Sequence, residues 1–291
     1  MKTFLLGVGA QKAGTSWLHW YLSQCAEVDF GFRKEYHVFD YFDLDDSRIY
    51  ANKAIAKALR KIGSFRGILP TRSNKNLRRL LSFYANEDNY YSYFKEVLRR
   101  GKQLTGDFTP GYSGLSVRRF RDIRARMLDI GVQTKVIFLM RDPVERCISA
   151  FRMGVRNHPQ FVIPDRDDFV SKVCESYSFR YRSSYKETIS NLLRSFPEED
   201  ILFGFYEELF EVNEVKRICN FLGITGVSAD FLKKVNSFPD NSRFDDYFDS
   251  KLRAQLRAFY EETYCFVAEM FGTEKVKNLW PNYQLRDTLL R

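Results

Sequence analysis

The chain contains no apolar run long enough to cross a bilayer, no internal repeat and no low-complexity linker. A membrane-spanning helix needs roughly 20 consecutive apolar residues, whereas the N-terminal run Phe4-Leu5-Leu6-Gly7-Val8 gives way to glycines and Lys12 after five. That is also too short for the core of a secretory signal, so the run is read as a central strand and the protein as cytoplasmic, without a membrane span. Histidine is scarce. The 3 in the chain, His19, His37 and His158, lie neither near a cysteine pair nor at helical i, i+4 spacing, which leaves a zinc site without ligands. The 5 cysteines, Cys25, Cys147, Cys174, Cys219 and Cys265, are odd in number and unpaired in spacing, the pattern of reduced structural thiols. With 291 residues the chain falls in the range of one large α/β domain, read as a single domain over 1–291, and its formal charge of +9 suits an anionic ligand without identifying it.

What the chain does have begins immediately. The apolar run leads into Gly9-Ala10-Gln11-Lys12-Ala13-Gly14-Thr15-Ser16 and then Trp17-Leu18-His19-Trp20-Tyr21-Leu22, which reads as strand, tight loop and helix. Gly9 and Gly14 let the backbone turn, and a helix opening at Gly14 to Ser16 points free N–H groups and the positive end of its dipole into the loop, an arrangement that holds phosphate. The spacing nearly fits the nucleotide-binding pattern of glycine, four residues, glycine, lysine and Ser/Thr, but Thr15 stands where that lysine belongs. The loop's cation is Lys12, set back toward the 5′ end of any bound nucleotide. The alternative is a glycine turn with no ligand.

A second charged cluster follows Glu27-Val28-Asp29-Phe30, read as a short second strand. Lys34, Glu35, His37 and Asp40 fall within seven residues, at the place where open α/β sheets put their ligands. The bland alternative is a solvated loop. Further on, Gln103-Leu104-Thr105-Gly106 reads as a third strand, and Thr134 to Met140 as the clearest strand of all. The latter runs into Arg141-Asp142-Pro143-Val144-Glu145-Arg146-Cys147-Ile148-Ser149, where Pro143 suits a helix start. Arg141 at the strand end and Ser149 two turns into the helix can meet around one phosphate, the first with a planar fork and the second with a single hydroxyl donor. A rival reading makes Asp142 a magnesium ligand of a triphosphatase. It places the carboxylate one residue late, and the first loop lacks the lysine that such an enzyme needs.

The remaining segments read as scaffold. Tyr90, Tyr91, Phe94, Val97 and Leu98 form one apolar helical face and so belong to the core rather than to a base-stacking platform, and no nucleic-acid partner is expected. A polar turn is expected at Pro70 to Asn74, a helix from Arg180 through Leu193, a buried strand at Ile201 to Phe205, a helix from Val215 to Leu222 ending at Gly223, and a last helix from Asp249 to Phe271 that packs on the sheet. Tyr206-Glu207-Glu208-Leu209 is read as structural, with a carboxylate capping the next helix.

Four stretches carry a resemblance. Gln11-Lys12-Ala13-Gly14-Thr15-Ser16 resembles the 5′-phosphosulfate loop of sulfotransferases that use 3′-phosphoadenosine 5′-phosphosulfate (PAPS), and Arg141-Asp142-Pro143 with Arg146 and Ser149 resembles the 3′-phosphate motif of the same family. Lys34-Glu35-Tyr36-His37-Val38-Phe39-Asp40 is similar to the Lys-Glu-Pro-His-Phe-Phe-Asp stretch of heparan sulfate sulfotransferases, with Tyr36 in place of the proline. Asp107-Phe108-Thr109-Pro110-Gly111-Tyr112 resembles the family's Glu-Lys-Thr-Pro-x-Tyr segment, which lines the acceptor cleft, with Phe108 in place of the lysine.

The resemblance implies an α/β fold of P-loop type, a central parallel sheet flanked by helices in three layers, and transfer of a sulfuryl group from PAPS to an acceptor hydroxyl on a carbohydrate, without a metal. It further implies Glu35 as general base supported by His37 and Asp40, and Lys12 acting on the leaving group. The nucleotide would be held by Lys12, Ala13, Gly14, Thr15, Ser16, Trp17, Arg141 and Ser149, with Arg243 closing from the loop at Asn236 to Phe244. The acceptor would meet Lys34, Asp40, Asp107 and Tyr112. The competing classes are a kinase using ATP and a binding module without chemistry.

Overall fold

The computed structural model describes residues 1–63, 71–158, 160, 162–233, 235 and 244–284. Strand β1 (Lys2–Gly9) leads into helix α1 (Thr15–Leu22), and α2 (Val38–Asp43), α3 (Asp45–Gly63), α4 (Arg72–Ala85) and α5 (Asp88–Arg99) follow. Strand β2 (Leu104–Asp107), α6 (Val117–Asp129), β3 (Val132–Met140) and α7 (Pro143–Asn157) come next. The chain then forms α8 (Tyr177–Ser183), α9 (Tyr185–Leu193), β4 (Ile201–Phe205) and α10 (Val212–Leu222), and ends in α11 (Ser250–Phe259), α12 (Glu261–Phe271) and α13 (Thr273–Leu279).

The strands form one parallel sheet in the order β2-β1-β3-β4. Successive side chains of a strand point to opposite faces, and Phe4, Leu5 and Leu6 of β1 are all fully buried. Both faces of the sheet are therefore covered, which makes the architecture three-layer α/β/α and explains why β1 and β3 are written as near-continuous apolar runs. On one side Phe4 packs edge-on against Phe94 and Tyr90 of α5, with ring centroids 5.0 and 6.2 Å away. The apolar face from Tyr90 to Leu98 is thus core. From β1 the chain reaches β2 on one side and β3 on the other, so the loops at the carboxyl ends of β1 and β3 diverge and leave a crevice between them. Among the described residues no helix is long and apolar enough to cross a membrane.

Several expectations need correction. Glu27 to Phe30 forms only an isolated parallel bridge, Val28 to Leu104, because Asp29 Oδ1 accepts from Gly31 N at 2.7 Å and turns the chain away from the sheet after one pairing. At Pro70 to Asn74, Pro70 lies outside the described residues, and Thr71 is a helix cap rather than part of a turn, accepting from Asn74 N at 3.2 Å. The expected helix after Arg180 is two, broken at Ser184. The single last helix is also two, since α11 stops at Tyr260 and the acidic pair Glu261 and Glu262, favoured beside the positive end of a helix dipole, starts α12. Its far end reaches the sheet, where Phe271 packs 5.6 Å from Phe205. Glu207 caps no helix. Its carboxylate instead ties Asp142 N (3.1 Å) to Trp280 Nε1 (3.2 Å).

Candidate active site

The β1–α1 loop is built by two residues in the left-handed region, Lys12 at φ 70° and Gly14 at φ 83°. Gly14 could carry no side chain, since a Cβ there would lie 2.4 Å from Leu209 Cδ2. The loop uses part of its own hydrogen-bonding capacity: Ala13 N donates to Ala10 O at 3.2 Å and Trp17 N to Gly14 O at 3.0 Å. Ala13 N–H is therefore committed within the loop, and the amides placed to meet an anion are those at the start of α1, Thr15 and Ser16. Trp17 is buried, stacked on Tyr21 (5.6 Å) and Phe231 (5.9 Å) and edge-on to Phe210 (5.2 Å), so it forms part of an aromatic wall.

Arg141 leaves the end of β3 and ties the two loops together. Its Nη1 donates to Lys12 O at 3.1 Å, and its guanidinium stacks 4.5 Å from the Tyr206 ring centroid. Ser149 lines the same cleft from α7. Asp142 between them is fully buried and its oxygens are engaged: Oδ1 accepts from Val144 N (2.9 Å), Glu145 N (3.2 Å) and Tyr264 OH (2.8 Å), and Oδ2 from Asn282 N (3.0 Å) and Nδ2 (3.2 Å). It is the N-cap of α7, a role that leaves it no place as a magnesium ligand.

Across the crevice, Lys34 Nζ donates to Ser16 Oγ (2.9 Å), Thr15 Oγ1 (3.2 Å) and Glu35 Oε1 (2.7 Å). Glu35 Oε2 lies 3.2 Å from His37 Nε2, and His37 Nδ1 lies 2.8 Å from Asp40 Oδ2. The line Lys34–Glu35–His37–Asp40 is continuous, and it starts on the phosphate-type loop. Burial pulls the Glu35 carboxyl up, but the hydrogen bond from His37 and the Lys34 charge outweigh it and hold the group at about 2. Burial likewise pulls His37 down, yet the bonds to Asp40 and Glu35 win and raise it to about 10. At neutral pH the pair is carboxylate and imidazolium. The Lys12 ammonium is pushed below its usual range, first by burial and then by Arg156, Arg141 and Lys34. Lys12, Lys34, Arg141 and Arg156 thus line one cleft together with the Glu35 carboxylate.

A cleft of about 1290 Å³ joins these groups. It is lined by Lys12, Thr15, Lys34, Glu35, Arg141 and Ser149 among others. Asp40, Asp107 and Tyr112 are corrections to the acceptor set. Asp40 and Asp107 are fully buried, as is Tyr112, so none presents a group to the cleft: Asp40 backs His37, and the other two lie beneath the loop. Phe108 faces the core, 5.3 Å from Phe30 and 5.6 Å from His19, and forms no wall for an acceptor. Arg243 lies outside the described residues. The sequence reading missed Arg152 and Arg156, which line the cleft beyond Ser149; their spacing of three and seven residues after Ser149 on one helix was the available signal.

The family described as "Sulfotransferase domain" matches residues 2–257. Human heparan sulfate glucosamine 3-O-sulfotransferase 3B1 is 26% identical over 170 residues, covering 54% of this chain and 42% of that protein. Human heparan sulfate glucosamine 3-O-sulfotransferase 3A1 is 26% identical over 170 residues, covering 54% and 40%. The matches thus span less than half the length of these relatives. A solved sulfotransferase from Alicyclobacillus acidocaldarius superposes with a TM-score of 0.61 at 21% identity, covering 93% of this chain and 96% of that one, which shows a shared fold.

Proposed function

Because the chain belongs to the sulfotransferase domain family, we propose that it moves a sulfuryl group from PAPS to an acceptor hydroxyl by in-line displacement. The observation that carries this reading is the convergence of Lys12, Lys34, Arg141 and Arg156 beside Glu35 in one cleft, with Lys12 pushed down first by burial and then by the charges around it. Such a site suits a donor with two phosphate groups and a transferring sulfuryl. The 5′-phosphosulfate would lie against Lys12 and the amides of Thr15 and Ser16, and the 3′-phosphate against Arg141 and Ser149. The aromatic wall of Trp17 and Phe231 would flank the nucleotide.

In the reaction the acceptor oxygen attacks sulfur, the bond from sulfur to the 5′-phosphate oxygen breaks, and Glu35 takes the hydroxyl proton. The products are a sulfate ester and 3′-phosphoadenosine 5′-phosphate (PAP). Lys12 meets the charge that grows on the leaving oxygen, the kind of preorganised electrostatic contact that contributes most to transfer reactions. Glu35 is ionised at neutral pH. It gains basicity if Lys34 turns from its carboxylate toward the sulfuryl oxygens, because the Lys34 charge is among the interactions that hold its proton affinity low. A carbohydrate acceptor is favoured by the names of the two human relatives and by the basic cleft.

A kinase reading has less support, since Thr15 replaces the phosphate-binding lysine and Asp142 is consumed as a helix cap. The test is thermal stabilisation in a chelating buffer. At a hundred times its dissociation constant, PAP should add roughly 2.7 kcal/mol to the folded state, and ATP with magnesium should add far less. Stabilisation by magnesium-ATP and not by PAP would overturn the reading.

A further inference from the structure

Asp107 is fully buried and reaches no part of the cleft, yet its carboxylate gathers four donors. Oδ1 accepts from Thr109 Oγ1 at 2.6 Å and from Tyr36 N at 3.3 Å, while Oδ2 accepts from Tyr112 OH at 2.7 Å and Tyr90 OH at 2.9 Å. Two of the three hydroxyls that donate to it, those of Thr109 and Tyr112, then turn back on the loop carrying Glu35 and His37. Thr109 Oγ1 accepts from Tyr36 N (3.1 Å) and His37 N (3.4 Å), and Tyr112 OH accepts from Val38 N (3.1 Å). On either side, Phe108 N donates to Lys34 O at 3.0 Å and Tyr84 OH to Tyr36 O at 3.0 Å. Backbone groups of Lys34, Tyr36, His37 and Val38 are thus tied to the end of β2 and its neighbours. Among them His37 is held at φ 54°, a conformation that a residue with a Cβ adopts only when its surroundings impose it.

We propose that Asp107, acting through the hydroxyls of Thr109 and Tyr112, is the positioning residue of the catalytic loop: it holds the backbone of Tyr36 to Val38 so that Glu35 and His37 meet. The argument is one of direction. A hydroxyl that donates to a carboxylate has its lone pairs turned outward, and here those lone pairs receive three successive amides. Remove a hydroxyl, and His37 N or Val38 N loses its acceptor; remove the carboxylate, and the hydroxyls lose the bond that aims their lone pairs at the loop. The loop then relaxes toward ordinary dihedrals, which turns the His37 ring away from Glu35. This inference takes from the proposed function the role of Glu35, and nothing else.

Thr109→Val and Tyr112→Phe keep shape and delete one hydroxyl each, while Thr109→Ser keeps the hydroxyl. With 3 histidines in the chain, the His37 imidazole can be followed by NMR in the free protein, with His37→Asn assigning its signal. In both hydroxyl-deleted variants its midpoint should fall from the wild-type position toward the ordinary histidine value, with PAP affinity changed less than about twofold, and Thr109→Ser should restore it. An unchanged His37 midpoint in folded Thr109→Val and Tyr112→Phe overturns the proposal, and so does an equal loss of PAP affinity in both, which would mean general damage. Turnover of PAPS separates the two claims. Thr109→Val should lower kcat about 10-fold or more in the wild-type background and have little further effect in Glu35→Gln, since both act on one step. If Glu35→Gln turns over normally while the His37 midpoint still moves, the base assignment fails and the positioning role stands.

Discussion

Lys34 Nζ stands between two loops, 2.9 Å from Ser16 Oγ at the start of α1 and 2.7 Å from Glu35 Oε1. One ammonium thus connects the helix start proposed to hold the donor with the carboxylate proposed as base. Lys34→Ala should therefore damage both halves of the reaction, raising KM for PAPS and lowering kcat. Lys34→Arg should recover part of the first and little of the second, because a planar guanidinium does not reproduce a compact ammonium with three donors. Steady-state kinetics on the three proteins is the check.

Glu35→Gln keeps the volume of the side chain and removes its ability to accept a proton. A positioned general base contributes typically about 10²–10⁴-fold, so kcat should fall by that factor while PAP affinity, read by calorimetry, stays near wild type. Near-normal turnover in Glu35→Gln with none in His37→Ala would move the base to His37.

Arg141→Ala and Ser149→Ala should weaken PAP binding, and Arg141→Ala the more, since it deletes a charge-assisted contact worth about 1.5–3 kcal/mol. Adenosine 5′-phosphosulfate, which lacks the 3′-phosphate, should bind the variants almost as it binds wild type. Equal losses for the two nucleotides would show that Arg141 and Ser149 do not read that phosphate.

The carboxylate–imidazolium pair predicts a signature in stability against pH. Glu35 is held at about 2, below its usual value, so its contribution is present above the unfolded value near 4.5 and is lost as pH falls toward 2. His37 is raised to about 10, so its contribution is complete below about 6.5 and is lost as pH rises from there through 10. The Tm difference between wild type and His37→Asn should accordingly shrink between pH 6.5 and 10. Both side chains keep about a third of their surface in solvent, which makes the effect smaller than a buried pair would give. A constant Tm difference over that range would refute the pairing.

What the residues alone disclosed depended on whether the signal was local. The β1–α1 loop, the Lys34 to Asp40 cluster and the pair Arg141 and Ser149 are each written within ten residues, and the structure brings the loop, Lys34, Glu35, His37, Arg141 and Ser149 to one cleft at the carboxyl edge of the sheet. Strand Ile201–Phe205 was legible to the residue because its five positions are bounded by Asp200 and Tyr206 turns. What was hidden is tertiary. Nothing in the spacing of Asp107 and Tyr112 says that they are buried, and the bond from Tyr112 OH to Asp107 Oδ2 exists only because the chain after β2 makes a tight turn under the loop. The one-residue pairing at Val28 is similar, because a single Asx turn at Asp29 decides against a strand that the apolar pattern permits.

The measurement closest to the central claim is transfer itself. The protein is incubated in a chelating buffer with PAPS carrying labelled sulfur and with a panel of hydroxyl acceptors that includes heparan sulfate, and PAP formed is counted against label in the acceptor. The account predicts one PAP for each labelled ester in the wild type, a rate lower by about 10²–10⁴-fold in Glu35→Gln, and loss of both binding and rate in Lys12→Ala. A wild-type protein that binds no PAP and transfers no label, while it moves phosphate from magnesium-ATP, would contradict it.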